Sequence, residues 1–231
     1  MKIKEFFFLL SIALGSILLA QCSSSKTIVE DFHTETYNTR MAYFGEHPLQ
    51  KGQIVFFGNS ITQAGEWESY FPGSDVVNRG ISGDNTEGML ARIDEIVQSQ
   101  PAKFFIMAGI NDISLARDEK TIVDNYRQII QAVKNDSPQT EIYIQSVLPV
   151  NNDFARYSRL KGKEERILSL NRKLKALADA ENIPFINLFP YFADASGKLI
   201  ASYTGDGLHL TPEAYALWTN IIRSKVVQET K

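Results

Sequence analysis

The stretch Gln53-Ile54-Val55-Phe56-Phe57-Gly58-Asn59-Ser60-Ile61-Thr62 joins an unbroken apolar run to a glycine, with polar residues close behind. A strand buried on both faces reads this way, because neither side meets water. Such strands pair in parallel and need helices to cover them. The signature recurs downstream in Val76–Asn78, Lys103–Met107, Glu141–Gln145 and Pro184–Asn187. Between these runs the apolar period changes to that of a helix. In Thr86–Gln98 it places Met89, Leu90, Ile93, Ile96 and Val97 on one face. Thr121–Val133 does the same with Ile122, Tyr126, Ile129, Ile130 and Val133, and Lys163–Ala180 with Ile167, Leu170, Leu174 and Leu177. A last helix opens at Thr211-Pro212-Glu213, with a good N-cap, a proline suited to the first helical position and an acid in the first turn. Five strands alternating with helices predict an α/β domain, a doubly wound parallel sheet with helices on both faces.

The chain has 231 residues, 44% hydrophobic and 22% charged, which fits one domain with a short extension. Disorder, collagen and coiled coil are excluded as the main state. A net charge of −3 leaves no basic face for many phosphates, so nucleic acid is not an expected partner. One Cys forms no intrachain disulfide and no Cys-based zinc site. The three His, at 33, 47 and 209, are neither clustered nor at ligand spacing, so no metal and no cofactor is implied.

The N-terminus reads as an address. Lys2 and Lys4 precede an apolar run from Phe6 to Ala20, too short for a spanning helix and right for a secretory signal. The run closes Leu19-Ala20-Gln21-Cys22, followed by three serines. The single Cys falls where a lipoprotein signal places its lipid-bearing residue. Gln21 departs from the small residue usual before that Cys, which leaves ordinary cleavage as the alternative. The expected organisation is a signal peptide over 1–21, a tether and surface extension over 22–50 with room for one helix, and the domain over 51–231. The product is expected in the periplasm or cell envelope, touching membrane only through lipid on Cys22.

Ligands of open α/β sheets bind beyond the carboxyl ends of the strands. Four segments collect there: Gly58–Thr62, Asn78–Asp84, Gly109–Asp112 and Asp206–His209. Singly, each has a plain reading. Ser60 is a helix cap, Gly80 and Gly83 are turn glycines, Asn111 and Asp112 cap a helix, and Asp206-Gly207 is a turn. Together they supply a nucleophile, an acid–base His, an orienting acid and oxyanion donors at one sheet edge. Asp206 and His209, three residues apart, can point the same way within a turn. Trp67, Tyr70, Arg79 and Tyr203 are candidates for lining a pocket and equally for ordinary packing.

The blocks FGNSIT (57–62), NRGISGD (78–84), GIND (109–112) and DGLHLTP (206–212) resemble, in order, the four sequence blocks of the SGNH (GDSL) hydrolases. Within that family the chain looks like the bacterial branch related to platelet-activating-factor acetylhydrolase subunits and carbohydrate O-acetylesterases. The resemblance implies the flavodoxin-like SGNH-hydrolase fold and a serine esterase acting on short acyl, chiefly acetyl, esters of carbohydrate. It also implies catalytic Ser60, Asp206 and His209, with an oxyanion hole from Ser60, Gly80 and Asn111. One departure is Asn59, where the family has Asp; Asn keeps the shape and one acceptor oxygen but loses the charge. A lysophospholipase or thioesterase of the same fold is the alternative, followed by a binding module without catalysis. A dinucleotide fingerprint after the first strand and an α/β-hydrolase Gly-x-Ser-x-Gly are both absent. Nothing in the residues speaks to oligomeric state.

Overall fold

In the computed structural model the described residues are 32–227. The expected signal peptide, Cys22 and the first part of the tether lie outside them. Five strands, β1 (Ile54–Gly58), β2 (Val76–Gly80), β3 (Lys103–Met107), β4 (Glu141–Gln145) and β5 (Phe185–Ile186), form one sheet in the order β2-β1-β3-β4-β5. All four pairings are parallel. Gly58 pairs with Gly80 on one side and with Met107 on the other. Three strands therefore end level, and the loops behind them share one edge.

Side-chain alternation assigns the two faces. Phe56, Phe105 and Tyr143 sit in register across β1, β3 and β4 and stack, with ring centroids 5.0 and 4.5 Å apart. Two helices cover this ladder, α3 (Trp67–Tyr70) and α10 (Pro212–Val226). Trp67 stacks on Phe56 at 4.0 Å, and Trp218 meets Trp67 edge-on at 4.9 Å. The opposite face carries Phe57 and Phe104, with the Arg92 guanidinium 4.0 Å above Phe57. On that side α7 (Glu119–Asp136) packs against α4 (Thr86–Ala91), α5 (Ile93–Ser99) and α8 (Glu164–Ala180). Ahead of the sheet, α1 (Glu35–Glu46) buries Tyr37 and Phe44 in a small cluster with Phe32 and Ile81.

Three departures from the sequence reading have local causes. The helix expected over 86–98 is two helices, because Arg92 adopts φ −117° and ψ 17°. Its side chain is drawn into the sheet edge: Nε donates to Asp84 Oδ2 (2.9 Å), Nη1 to Arg79 O (2.9 Å) and Nη2 to Gly58 O (3.2 Å). β2 runs on to Gly80, because the segment keeps pairing with β1 through Gly58. β5 is only two residues, since it pairs with β4 alone through Ile144 and Gln145.

Candidate active site

Ser60 is the first residue of the short helix α2 (Ser60–Gln63), set directly behind β1. The N-cap is Asn59, which is buried and accepts the Ile61 N–H on Oδ1 at 3.0 Å. An amide oxygen thus does here what a carboxylate oxygen would, so the Asn-for-Asp departure leaves the turn intact. The far end of α2 is capped by Asn78 of β2. Its amide nitrogen lies 2.9–3.1 Å from the carbonyls of Thr62, Gln63 and Gly65. From the other side Tyr215 of α10 donates to Ile61 O at 2.6 Å.

His209 Nε2 lies 2.9 Å from Ser60 Oγ, and His209 Nδ1 lies 2.8 Å from Asp206 Oδ2. The Asp206–His209 turn is tied by its own acid. Oδ1 accepts the backbone N–H groups of Leu208 (2.9 Å) and His209 (2.8 Å). Burial by itself pushes the Asp206 carboxyl up. The hydrogen bonds from His209, Tyr157 and Leu208 outweigh it and hold the group well below the usual carboxylate range. Asp206 is therefore a fixed anion beside the imidazole. Its side chain is 16% exposed and that of His209 36%, so the relay opens to solvent at the histidine and at Ser60.

The three predicted catalytic residues are thus in direct contact. The oxyanion donors need one correction. The Ser60 N–H sits at the first helical position, where no intrahelical partner exists. The Asn111 side chain, on α6 (Ile110–Ser114), is held by one amide hydrogen on Asp84 O at 2.7 Å, which leaves the other free. Gly80 differs from its expected role. Its N–H already donates to Asn78 Oδ1 at 2.9 Å, and the residue is buried against the backbone of α2. Three residues on, Gly83 is exposed with φ +81°, a conformation that favours glycine. Its N–H is engaged by no group among the described residues. The loop carrying it is pinned on both sides, by Gln63 Oε1 accepting from Ser82 N (2.6 Å) and by Asn111 holding Asp84 O. Gly83 thus replaces Gly80 as the backbone donor available to a ligand.

Beneath the loop lies a fully buried ion pair, Asp84 Oδ2 to Arg92 Nη2 at 2.8 Å. Burial pushes the Asp84 carboxyl up to about 6 against the pull of Arg92. Asp112, next to Asn111, is also buried and is pushed up, while hydrogen bonds from the hydroxyl and N–H of Thr86 oppose the shift. These contacts lock the ends of β1, β2 and β3 to one another.

A family model for GDSL-like lipases and acylhydrolases matches residues 56–217. The chain belongs to the GDSL-like lipase/acylhydrolase family. A GDSL esterase/lipase of Arabidopsis thaliana is 30% identical over 193 residues, 70% of this chain and 79% of the relative. A platelet-activating factor acetylhydrolase IB subunit alpha1 of Pongo abelii is 26% identical over 170 residues, 71% of each chain. Among solved structures, a GDSL-like lipase from Bacteroides thetaiotaomicron superposes with a TM-score of 0.74 at 28% identity. That match covers 83% of this chain and 98% of the other. This GDSL-like protein is accordingly a carboxylic ester hydrolase.

Of the residues considered for a pocket, Trp67 is core, 1% exposed, with its indole N–H on Thr62 O at 2.9 Å. Arg79 is buried between Glu95 (2.7 Å) and His47 O (2.6 Å), and Tyr203 packs edge-on to Phe192. Trp67 also borders a shallow cleft with Gly65, Glu66, Glu68, Ser69 and Asn78, and Tyr70 lines a second one. That second cleft, about 180 Å³, is shared with Ala64, Glu66, Leu210, Pro212 and Tyr215, and none of Ser60, Gly83, Asn111, Asp206 or His209 lines it. Sequence reasoning missed Tyr157, whose hydroxyl donates to Asp206 Oδ2 at 2.8 Å, and Arg92. Tyr157 lies in a loop without periodicity, so no pattern marks it. Arg92 is an arginine inside an apolar helical stretch, a signal that was available.

Proposed function

We propose that this GDSL-like hydrolase is a serine esterase that removes short acyl groups, chiefly acetyl, from carbohydrate through an acyl-enzyme. The observation that carries the mechanism is the unbroken relay Ser60–His209–Asp206, with contacts of 2.9 and 2.8 Å. Ser60 Oγ attacks the acyl carbon as His209 Nε2 takes its proton, and Asp206 stabilises the imidazolium. The oxyanion is received by the N–H groups of Ser60 and Gly83 and the amide of Asn111. His209 then hands its proton to the departing alkoxide. Water, activated by the same His209, releases the acid and restores Ser60. Ser60→Ala or His209→Ala should lower kcat by ~10³-fold or more.

The relatives named as acetylhydrolases support an acetyl group. The carbohydrate carrier follows from export, since an exported enzyme meets acetylated glycans. We infer export from the N-terminal signal and anchorage from lipid on Cys22. Cys22→Ser should then move active enzyme from the membrane to the soluble fraction. The test of substrate is kcat/KM for p-nitrophenyl esters of two to twelve acyl carbons. A steep fall beyond about four carbons fits a closed acetyl pocket. A rise towards eight or more, at ~0.8 kcal/mol per buried CH₂, would transfer the assignment to a lysophospholipase or thioesterase.

A further inference from the structure

Tyr157 reaches the catalytic relay from a separate segment of chain, between β4 and α8. Its hydroxyl stands 2.8 Å from Asp206 Oδ2 and 3.1 Å from His209 Nδ1. Burial and the neighbouring carboxylate both push the Tyr157 phenol up, so it stays protonated and has one hydrogen to give. That hydrogen goes to Asp206, an ionised carboxylate that can only accept. His209 Nδ1 then faces two oxygens, Asp206 Oδ2 and Tyr157 Oη, neither with a hydrogen to offer it. The imidazole must carry its proton on Nδ1, and Nε2 is left bare to accept from Ser60. The ring of Tyr157 also meets the His209 ring edge-on, with centroids 5.8 Å apart.

We propose that Tyr157 is a positioning residue of the relay, its hydroxyl holding Asp206 in place and His209 in the Nδ1–H tautomer. The inference rests on the serine-esterase reading above. A purely structural role is already filled by other bonds of the same segment. Asn151 N donates to Gly207 O at 2.8 Å, Asn151 Nδ2 to Leu199 O at 2.8 Å and Asn152 Nδ2 to Glu164 Oε1 at 2.6 Å. Loss of one hydroxyl leaves those ties and the ring contact in place. The titratable and charged groups around the phenol are Asp206, His209 and Arg156.

The experiment compares wild type, Tyr157→Phe, Asp206→Asn and the double variant with p-nitrophenyl acetate across pH. A hydrogen bond to a charged group predicts that Tyr157→Phe loses about tenfold in kcat, with KM changed less than about twofold. Freed of one donor, Asp206 holds the imidazolium more strongly, so the acid limb of kcat/KM should move to higher pH. Because the hydroxyl acts through Asp206, the same change in the Asp206→Asn background should cost less than about twofold. An unchanged kcat, a change in KM alone, or full additivity with Asp206→Asn would each overturn the proposal. Wild-type enzyme without ester turnover, or an active Ser60→Ala, would sink the esterase reading instead.

Discussion

A single methyl group placed at Gly80 separates two reasons for having glycine there. A Cβ on Gly80 would lie 2.7 Å from Gln63 Cα and 2.8 Å from Thr62 C, and closer still to Gln63 N. Carbon atoms are comfortable at about 3.5–4.0 Å, so α2 must retreat from β2 by about 1 Å. All three obstacles are backbone, and no rotamer change relieves them. Overpacking of this kind costs about 1–3 kcal/mol. In a chain of this size each kcal/mol is about 2–4 °C, so Gly80→Ala should melt about 2–12 °C lower. Ser60 rides on the displaced helix, and a misplacement of about 1 Å costs about 10² in rate. Gly80→Ala is therefore expected to lose about 100-fold in kcat for p-nitrophenyl acetate, measured beside a thermal melt. The variant keeps its backbone N–H, so loss of a donor does not account for the result. Wild-type melting and wild-type kcat in Gly80→Ala would show that α2 yields freely, and the steric reasoning would fail.

Asn111→Ala should lower kcat about 10²–10³-fold with little change in KM, because a donor to the oxyanion acts in the transition state; steady-state kinetics in which KM alone moved would make it a ground-state binder. Arg92→Met leaves Asp84 buried without its partner and should cost about 3–5 kcal/mol in urea denaturation, a loss under 1 kcal/mol being incompatible with the burial described. Asp206 has its folded value held below the ordinary one, so its stabilisation is complete above about pH 4 and drains away below. The melting-temperature gap between wild type and Asp206→Asn should be level from about pH 5 upward and narrow towards pH 3, and a gap that does not narrow in acid would refute this.

The sheet was legible because strands buried on both faces carry few polar residues, as Val55–Phe57 and Phe104–Met107 show. The relay was legible because Ser60, Asp206 and His209 lie in short blocks beyond the strands. What escaped depends on side chains that cross between elements. Gly80 and Gly83 look alike in sequence. Their difference lies in the Asn78 amide, which folds back onto the Gly80 N–H while its other end caps α2. Arg92 fits the helical period of its neighbours, but its guanidinium bonds with Gly58, Arg79 and Asp84 break that helix in two. Tyr157 belongs to no repeat, and only the return of the 151–160 segment over Gly207 brings it to the acid.

Ser60 and His209 meet across 149 residues of chain, and the helix that begins just after His209 also grips α2 through Tyr215. During synthesis the nucleophile therefore emerges long before its base. Until α10 has docked, Ser60 is an ordinary alcohol, and a nascent or truncated chain carries a nearly complete sheet with no hydrolytic power. Contacts this distant in sequence form late, because closing so large a loop gains nothing until both ends are in place. Ester turnover is thus a clock for the final step of folding. In refolding experiments it should appear after the far-ultraviolet circular dichroism of the strands and helices has begun to change, and it should be the first property lost when the C-terminal helix detaches.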